Sequence, residues 1–157
     1  MSVAFRRESD DEHLEPTFEL PIPRGPNFVT ARGLRLIEEQ VVRLERAIAD
    51  APDDETRKAL RREHRYWSTR QSTAQPVPAP DGTMVAIGSR VTFRHDGETR
   101  TLTIVGGDEA DAASDRIAFS APLARALLGA EAGECRDFAG VEDALEVIDT
   151  AADDNDA

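Results

Sequence analysis

One cysteine, Cys135, stands in 157 residues, which excludes an intramolecular disulfide framework and fits a reducing compartment such as the cytoplasm. Cys135 falls in a strand-like segment, 134–138, where a half-buried structural thiol is expected. Aromatic residues make up only 5% of the chain, so at this length one or two small domains with a modest core are expected. No run of about 18 apolar residues exists, so no membrane-spanning helix is expected. The first residues, Met1 to Asp11, are polar and lack an apolar signal-peptide core. His13, His64 and His95 are scattered through an arm, a helix and a turn, with neither metal-ligand nor catalytic spacing. No glycine-rich phosphate loop is present, and Gly106-Gly107 reads as a turn.

Charge is plentiful and uneven. The net charge is −12. Residues 1–29 carry 3 basic and 6 acidic groups, residues 30–75 carry 10 and 8, and residues 76–157 carry 6 and 17. The whole chain therefore does not favour nucleic acid, and any RNA or DNA contact must be local to the middle segment.

The chain divides into five stretches. Residues 1–29 contain Pro16, Pro21, Pro23 and Pro26 with few apolar residues, and read as an extended or disordered arm that Phe18, Leu20 and Ile22 could pin. Residues 30–75 read as a helical hairpin. Thr30 is the N-cap of the first helix, whose apolar residues Leu34, Ile37, Val41, Leu44 and Ile48 are spaced as a heptad seam. Pro52 ends it, and Asp53, Asp54 and Glu55 favour the start of a second helix. The second inward face is poorer: Leu60, His64, Trp67, Gln71 and Ala74. A short connection makes the helices antiparallel. Residues 76–83 are a stiff proline-rich linker.

Residues 84–150 read as a strand-rich domain, with strands near 90–94, 99–105, 116–119, 134–138 and 143–149 and a helix over 122–128. His95-Asp96-Gly97 marks a β-hairpin turn, Pro122 opens the helix and Gly129 ends it. Residues 151–157 are an acidic tail expected to fray. The fold class is α+β.

Several groups could carry chemistry. Asp50, Asp53, Asp54 and Glu55 cluster at the hairpin tip, where carboxylates can offer oxygens to a divalent metal or simply cap a helix. Arg57, Arg61 and Arg65 form a basic stripe at i, i+4 and i+8, either facing RNA or paired with Glu38, Glu39 and Glu45. Trp67 lies beside Tyr66 on the hairpin seam, so a core role outweighs base stacking. The loop Asp108-Glu109-Ala110-Asp111 looks exposed, and Leu123, Leu127 and Leu128 look like core.

The order Ile104-Val105-Gly106, Asp108 to Asp111, then Ser120 to Gly129 with its Ser-x-Pro-x-x-x-x-Leu-x-Gly pattern resembles the C-terminal domain of the bacterial Gre transcript-cleavage factors. The resemblance covers roughly residues 27–150 and is strongest after Gly88. It implies a coiled-coil hairpin followed by a small domain of the FKBP type. The implied partner is bacterial RNA polymerase, met at its β′ subunit beside the secondary channel through Asp108, Glu109, Asp111, Ser120, Pro122 and Arg125. The implied function is regulation of transcription elongation by a chain that is not itself an enzyme and acts as a monomer. No cofactor of its own is implied beyond sharing the Mg²⁺ of the polymerase active site. Asp50 and Asp53 have the spacing of the family's acidic tip pair, but Asp50-Ala51-Pro52-Asp53 departs from its sequence. A helix of about 20 residues reaches about 30 Å, some 15 Å less than a probe with ten more residues per helix. Two other readings are a nucleoside-diphosphate-kinase regulator-like adaptor and a peptidyl-prolyl isomerase. The latter needs an aromatic proline pocket that Phe93, Phe119 and Phe138 alone would have to supply.

Overall fold

A computed structural model describes residues 19–154. Phe18, His13 and the outer ends of the arm and tail, on which expectations were stated above, lie outside the described residues. Within them the chain runs β1 (Asn27–Val29), α1 (Ala31–Ala49), α2 (Asp54–Thr73), β2 (Ala74–Pro76), β3 (Ser89–His95) and β4 (Glu98–Val105). A 3-10 turn (Ala112–Ser114) follows, then β5 (Arg116–Ala118), α3 (Pro122–Leu127), β6 (Cys135–Phe138) and β7 (Val141–Ala152). The fold is α+β. No described helix is long and apolar enough to cross a membrane.

The hairpin starts where the sequence puts it. The Thr30 hydroxyl accepts the Gly33 N–H at 2.9 Å, and the Asp53 carboxylate accepts the Thr56 N–H at 2.7 Å. On α1 the heptad positions Ile37, Val41 and Leu44 are buried, with Leu34 and Ile48 half-buried. On α2 the expected seam fails at its end. Gln71 is exposed and Ala74 belongs to β2; the residue that α2 buries is Arg70. Trp67 is half-buried, its ring edge-on to Tyr66 at 5.1 Å.

The arm is not loose at its inner end. Asn27–Val29 forms β1, which pairs in parallel with β2, and Asn27 and Val29 are buried. This clamp closes the open end of the hairpin and takes Ala74–Pro76 into a strand; Pro76, the first residue of the expected linker, is thus a strand residue. A three-residue pairing carries almost no periodicity, so neither strand could be read from pattern alone.

The second unit is a five-stranded sheet in the order β5-β4-β3-β7-β6. The β3–β4 turn has Asp96 at φ 51° and Gly97 at φ 77°, the doubly positive geometry that matches strand twist. One face packs Val91, Phe93, Leu102, Ile104, Leu145 and Val147 against Ala124 and Leu127 of α3; Leu123 and Leu128 pack at its edge. Gly129, at φ 84°, ends α3. Two expectations are corrected here. The tail does not fray at Ala151, because β7 pairs through Ala152 with Ser89 and Asp153 is buried. Cys135 is exposed rather than half-buried, since it sits on the edge strand β6 with its side chain on the open face.

Candidate functional site

The two units meet at the loop after β4. Successive residues of a strand point to opposite faces. Leu102 and Ile104 enter the sheet core, whereas Thr103 and Val105 are buried on the other side, lining a small cavity with Thr30, Glu109, Arg116 and Asp153. The hairpin base covers this second face. Gly106 allows the approach: a Cβ there would stand 2.5 Å from the Phe28 carbonyl oxygen.

The acidic loop then turns inward, against the expectation of an exposed loop. The Asp108 side chain is 9% exposed and that of Glu109 is 2% exposed. Asp108 accepts from Arg70 Nε at 2.6 Å and from the Tyr66 hydroxyl at 2.5 Å. Arg70 also donates to the Asn27 side-chain oxygen at 2.8 Å, and the Asn27 amide donates back to the Arg70 carbonyl at 2.8 Å. Burial, reinforced by the Asp108 carboxylate accepting its proton, pushes the Tyr66 phenol up to about 12.

Glu109 is held by a second set. It accepts from the Thr30 hydroxyl at 2.5 Å, from Arg32 at 2.9 Å and from Arg116 at 3.4 Å, while Arg116 also reaches Asp153 at 3.0 Å. Its carboxylate lies over the first turn of α1, where the exposed N–H groups and the helix dipole favour an anion. Gly33 keeps that place open, since a Cβ there would be 2.8 Å from Glu109 Oε1. Buried charges need partners of this kind, and each carboxylate here faces at least one guanidinium. Asp108 and Glu109 thus bind the hairpin to the sheet domain and are not available as loop charges.

The remaining docking candidates stay outside. Asp111, Ser120, Pro122 and Arg125 are exposed. Asp111 caps the 3-10 turn through the Ala113 N–H at 3.1 Å and the Ser114 hydroxyl at 3.0 Å, which leaves the side chain on the surface. Phe119, beside Ser120, is fixed edge-on by Phe28 at 5.5 Å.

At the hairpin tip, Asp50, Asp53, Asp54 and Glu55 are all exposed. Asp53 is an N-cap, and the Thr56 N–H holds its carboxyl below the usual range. Asp54 pairs with Arg57 at 2.8 Å. Among the described residues no group of three or more His, Cys, Asp or Glu side chains is arranged to hold a metal. The basic stripe is split. Arg57 turns to the tip, Arg65 is forked onto Glu19, and Lys58, Arg61, Arg62 and Arg65 line one shallow groove. Of the α1 carboxylates expected to pair with this stripe, Glu45 instead meets His64, at 3.4 Å. The isomerase reading loses its aromatics to packing: Phe93 is core, Phe119 meets Phe28 and Phe138 meets His95.

A family model for the GreA/GreB transcription elongation factor C-terminal domain matches residues 79–149. Over that stretch, a little under half of the chain, the protein is similar to the C-terminal domain of the Gre factors. Transcription elongation factor GreA of Thermomicrobium roseum is 50% identical over 54 residues, 34% of this chain and 35% of that protein. The GreA of Bacillus cytotoxicus is 43% identical over 56 residues, with the same coverage. The matched segment thus spans about a third of each curated relative. The solved GreA factor homolog 1 of Thermus thermophilus aligns over 82% of this chain and 100% of that one, at 19% identity and a TM-score of 0.38, a loose superposition. The residues that sequence reading missed are Tyr66, Arg70, Asn27, Arg116 and Asp153, which complete the junction of the sheet domain with the hairpin. The one available signal was Tyr66 and Arg70 at i and i+4 on a single helix face.

Proposed function

We propose that this chain is a regulator of transcription elongation that binds bacterial RNA polymerase, with the Gre domain as its anchor and the hairpin as its probe. The observation that carries the reading is the family match over residues 79–149, which contains both the acidic loop and the Ser120–Gly129 segment. The docking face is the outward set Asp111, Ser120, Pro122 and Arg125, set against a helical coiled coil of the β′ subunit at the rim of the secondary channel. The domain is of the FKBP type and the hairpin a short coiled coil. The protein acts as a cytoplasmic monomer and is not an enzyme; any chemistry belongs to the polymerase. A helix of 19 residues reaches about 28 Å. Asp53 is occupied as a helix cap. Both features support occlusion of the channel over delivery of a carboxylate to the catalytic Mg²⁺. The adaptor and isomerase readings are not favoured.

The test is a pulldown with core polymerase, comparing the wild type with Asp111→Arg/Arg125→Glu. The expected outcome is loss of capture by a variant that melts normally. Equal capture by the two proteins would remove this docking face. A cleavage assay on a backtracked complex should show no stimulation by the chain and competition with a genuine cleavage factor; robust cleavage abolished in Asp50→Ala/Asp53→Ala would overturn the occlusion reading.

A further inference from the structure

A cavity of about 150 Å³ lies between the inner end of the arm, the last turn of α2 and the residues that follow β5. Its apolar walls are Pro23, Pro26 and Phe119, and its polar lining includes Arg24, Arg70 and Ser120. Gly25, at φ 91°, sets the turn between the two prolines, and Phe28 fixes the Phe119 ring at 5.5 Å. Arg70 gives Nε to Asp108 and Nη2 to Asn27, but its Nη1 makes no hydrogen bond among the described residues. The fully buried side-chain nitrogen and oxygen atoms without a partner there are Arg136 Nε and Thr150 Oγ1. Arg70 Nη1 therefore keeps some exposure, at the wall of this cavity. Arg24 is exposed and has no ion pair or side-chain hydrogen bond among the described residues.

We propose that this cavity receives one acidic side chain, Asp or Glu, of the protein on which the Ser120–Arg125 face docks. The choice of a protein side chain rests on the docking reading given above; the chemistry of the cavity does not. Charge sets the sign. Arg24 and Arg70 bring two positive charges and Asp108 offsets one, which leaves one for a single carboxylate. Size sets the class. Small-molecule sites run to about 300–1,000 Å³, so a nucleotide exceeds this cavity, whereas one short side chain fills it. The proline and phenylalanine walls cover the aliphatic stem of such a side chain while the guanidinium groups meet its head. The Ser120 hydroxyl, free to rotate, is a third donor. Position supports the same occupant, because Ser120 belongs both to the cavity and to the exposed face that continues through Pro122 and Arg125.

The first measurement uses the full chain alone, isotope-labelled for amide correlation spectra. It is titrated with sodium butyrate, a carboxylate on an aliphatic stem, against chloride at matched ionic strength. Saturable shifts are expected at the Gly107 and Ser120 amides and at Arg70 Nε–H, all at the lining. They should be lost in Arg24→Gln, which should melt as the wild type does, and kept in Arg43→Gln on α1. Shifts that never saturate, that persist in Arg24→Gln, or that inorganic phosphate produces and butyrate does not, would overturn the carboxylate site. The second measurement is capture of core polymerase, which Arg24→Glu should weaken about tenfold. Undiminished capture of Arg24→Glu, beside loss of capture in Asp111→Arg/Arg125→Glu, would overturn the occupant while the docking face stands. Undiminished capture of both variants would remove the docking face and its occupant together.

Discussion

Truncating Asp108 tests the junction most directly. In Asp108→Ala the Arg70 guanidinium keeps its bond to Asn27 but loses the carboxylate at 2.6 Å, while its side chain is only 5% exposed. The Tyr66 hydroxyl loses its acceptor as well. Removing one partner of a buried ion pair costs about 3–5 kcal/mol, because the other charge stays buried. Asp108 sits near the rim of the interface, and water entering its place should hold the loss to about 3 kcal/mol. The same substitution in a solvated loop would stay within about 0.5 kcal/mol. The assay is urea denaturation followed by Trp67 fluorescence. With a slope of about 1.5 kcal/mol/M for a chain of this size, the midpoint should fall by about 2 M. Asp108→Ala/Arg70→Ala should cost clearly less than the sum of the single changes, since the second removes the stranded charge. A midpoint shift below about 0.3 M in Asp108→Ala would refute the inward reading of the loop.

Other outcomes follow from the same geometry. Gly106→Ala places a Cβ 2.5 Å from the Phe28 carbonyl, a backbone atom that β1 holds in place; a loss of about 2 kcal/mol or more is expected in thermal melts. Tyr66 is the only tyrosine, so tyrosinate absorbance should give a midpoint near 12 that moves toward 10 in Asp108→Ala. The phenol is protonated in its favoured form and its folded pKa is raised, so its contribution to stability is complete below pH 10 and is lost as pH rises through about 12. Asp53→Ala should lower the melting temperature and helical circular dichroism by removing the α2 cap, whereas Asp50→Ala, exposed and without a side-chain bond among the described residues, should change neither.

Much of the fold could be read directly. The heptad seam of α1, its Thr30 N-cap, the acidic start of α2, the Asp96-Gly97 turn and the Pro122 and Gly129 punctuation of α3 all act within a few residues, and local rules reach that far. What could not be read depends on contacts distant in sequence. Asn27 and Arg70 are 43 residues apart, and Thr30 and Glu109 are 79 apart. Nothing in the character of Asp108 or Glu109 separates an exposed acid from one aimed at a buried arginine. Likewise Arg70 belongs by sequence to a basic run, and only the fold turns it away from the groove of Lys58, Arg61, Arg62 and Arg65. The exposed docking candidates fared differently, because Asp111, Ser120 and Pro122 sit at turn and helix starts, where local chemistry places them on the surface.

The loop therefore divides two tasks among neighbouring acids. Asp108 and Glu109 fix how the hairpin leaves the sheet domain; Asp111, beyond the turn of the chain, keeps its charge on the surface. On the proposed function, reversing the whole acidic run would weaken polymerase capture for two unrelated reasons at once. The positions can be separated because their ties differ. Asp111→Arg removes surface charge and a local turn cap, and should weaken capture without moving the hairpin. Asp108→Ala leaves the surface charge in place and frees the hairpin from Arg70 and Tyr66, so it should lower stability first and spare the initial electrostatic encounter. An association rate that falls with Asp111→Arg but not with Asp108→Ala is the signature of that division. Equal falls in both would mean that Asp108 also contributes its charge to the encounter, which its side-chain exposure of 9% argues against.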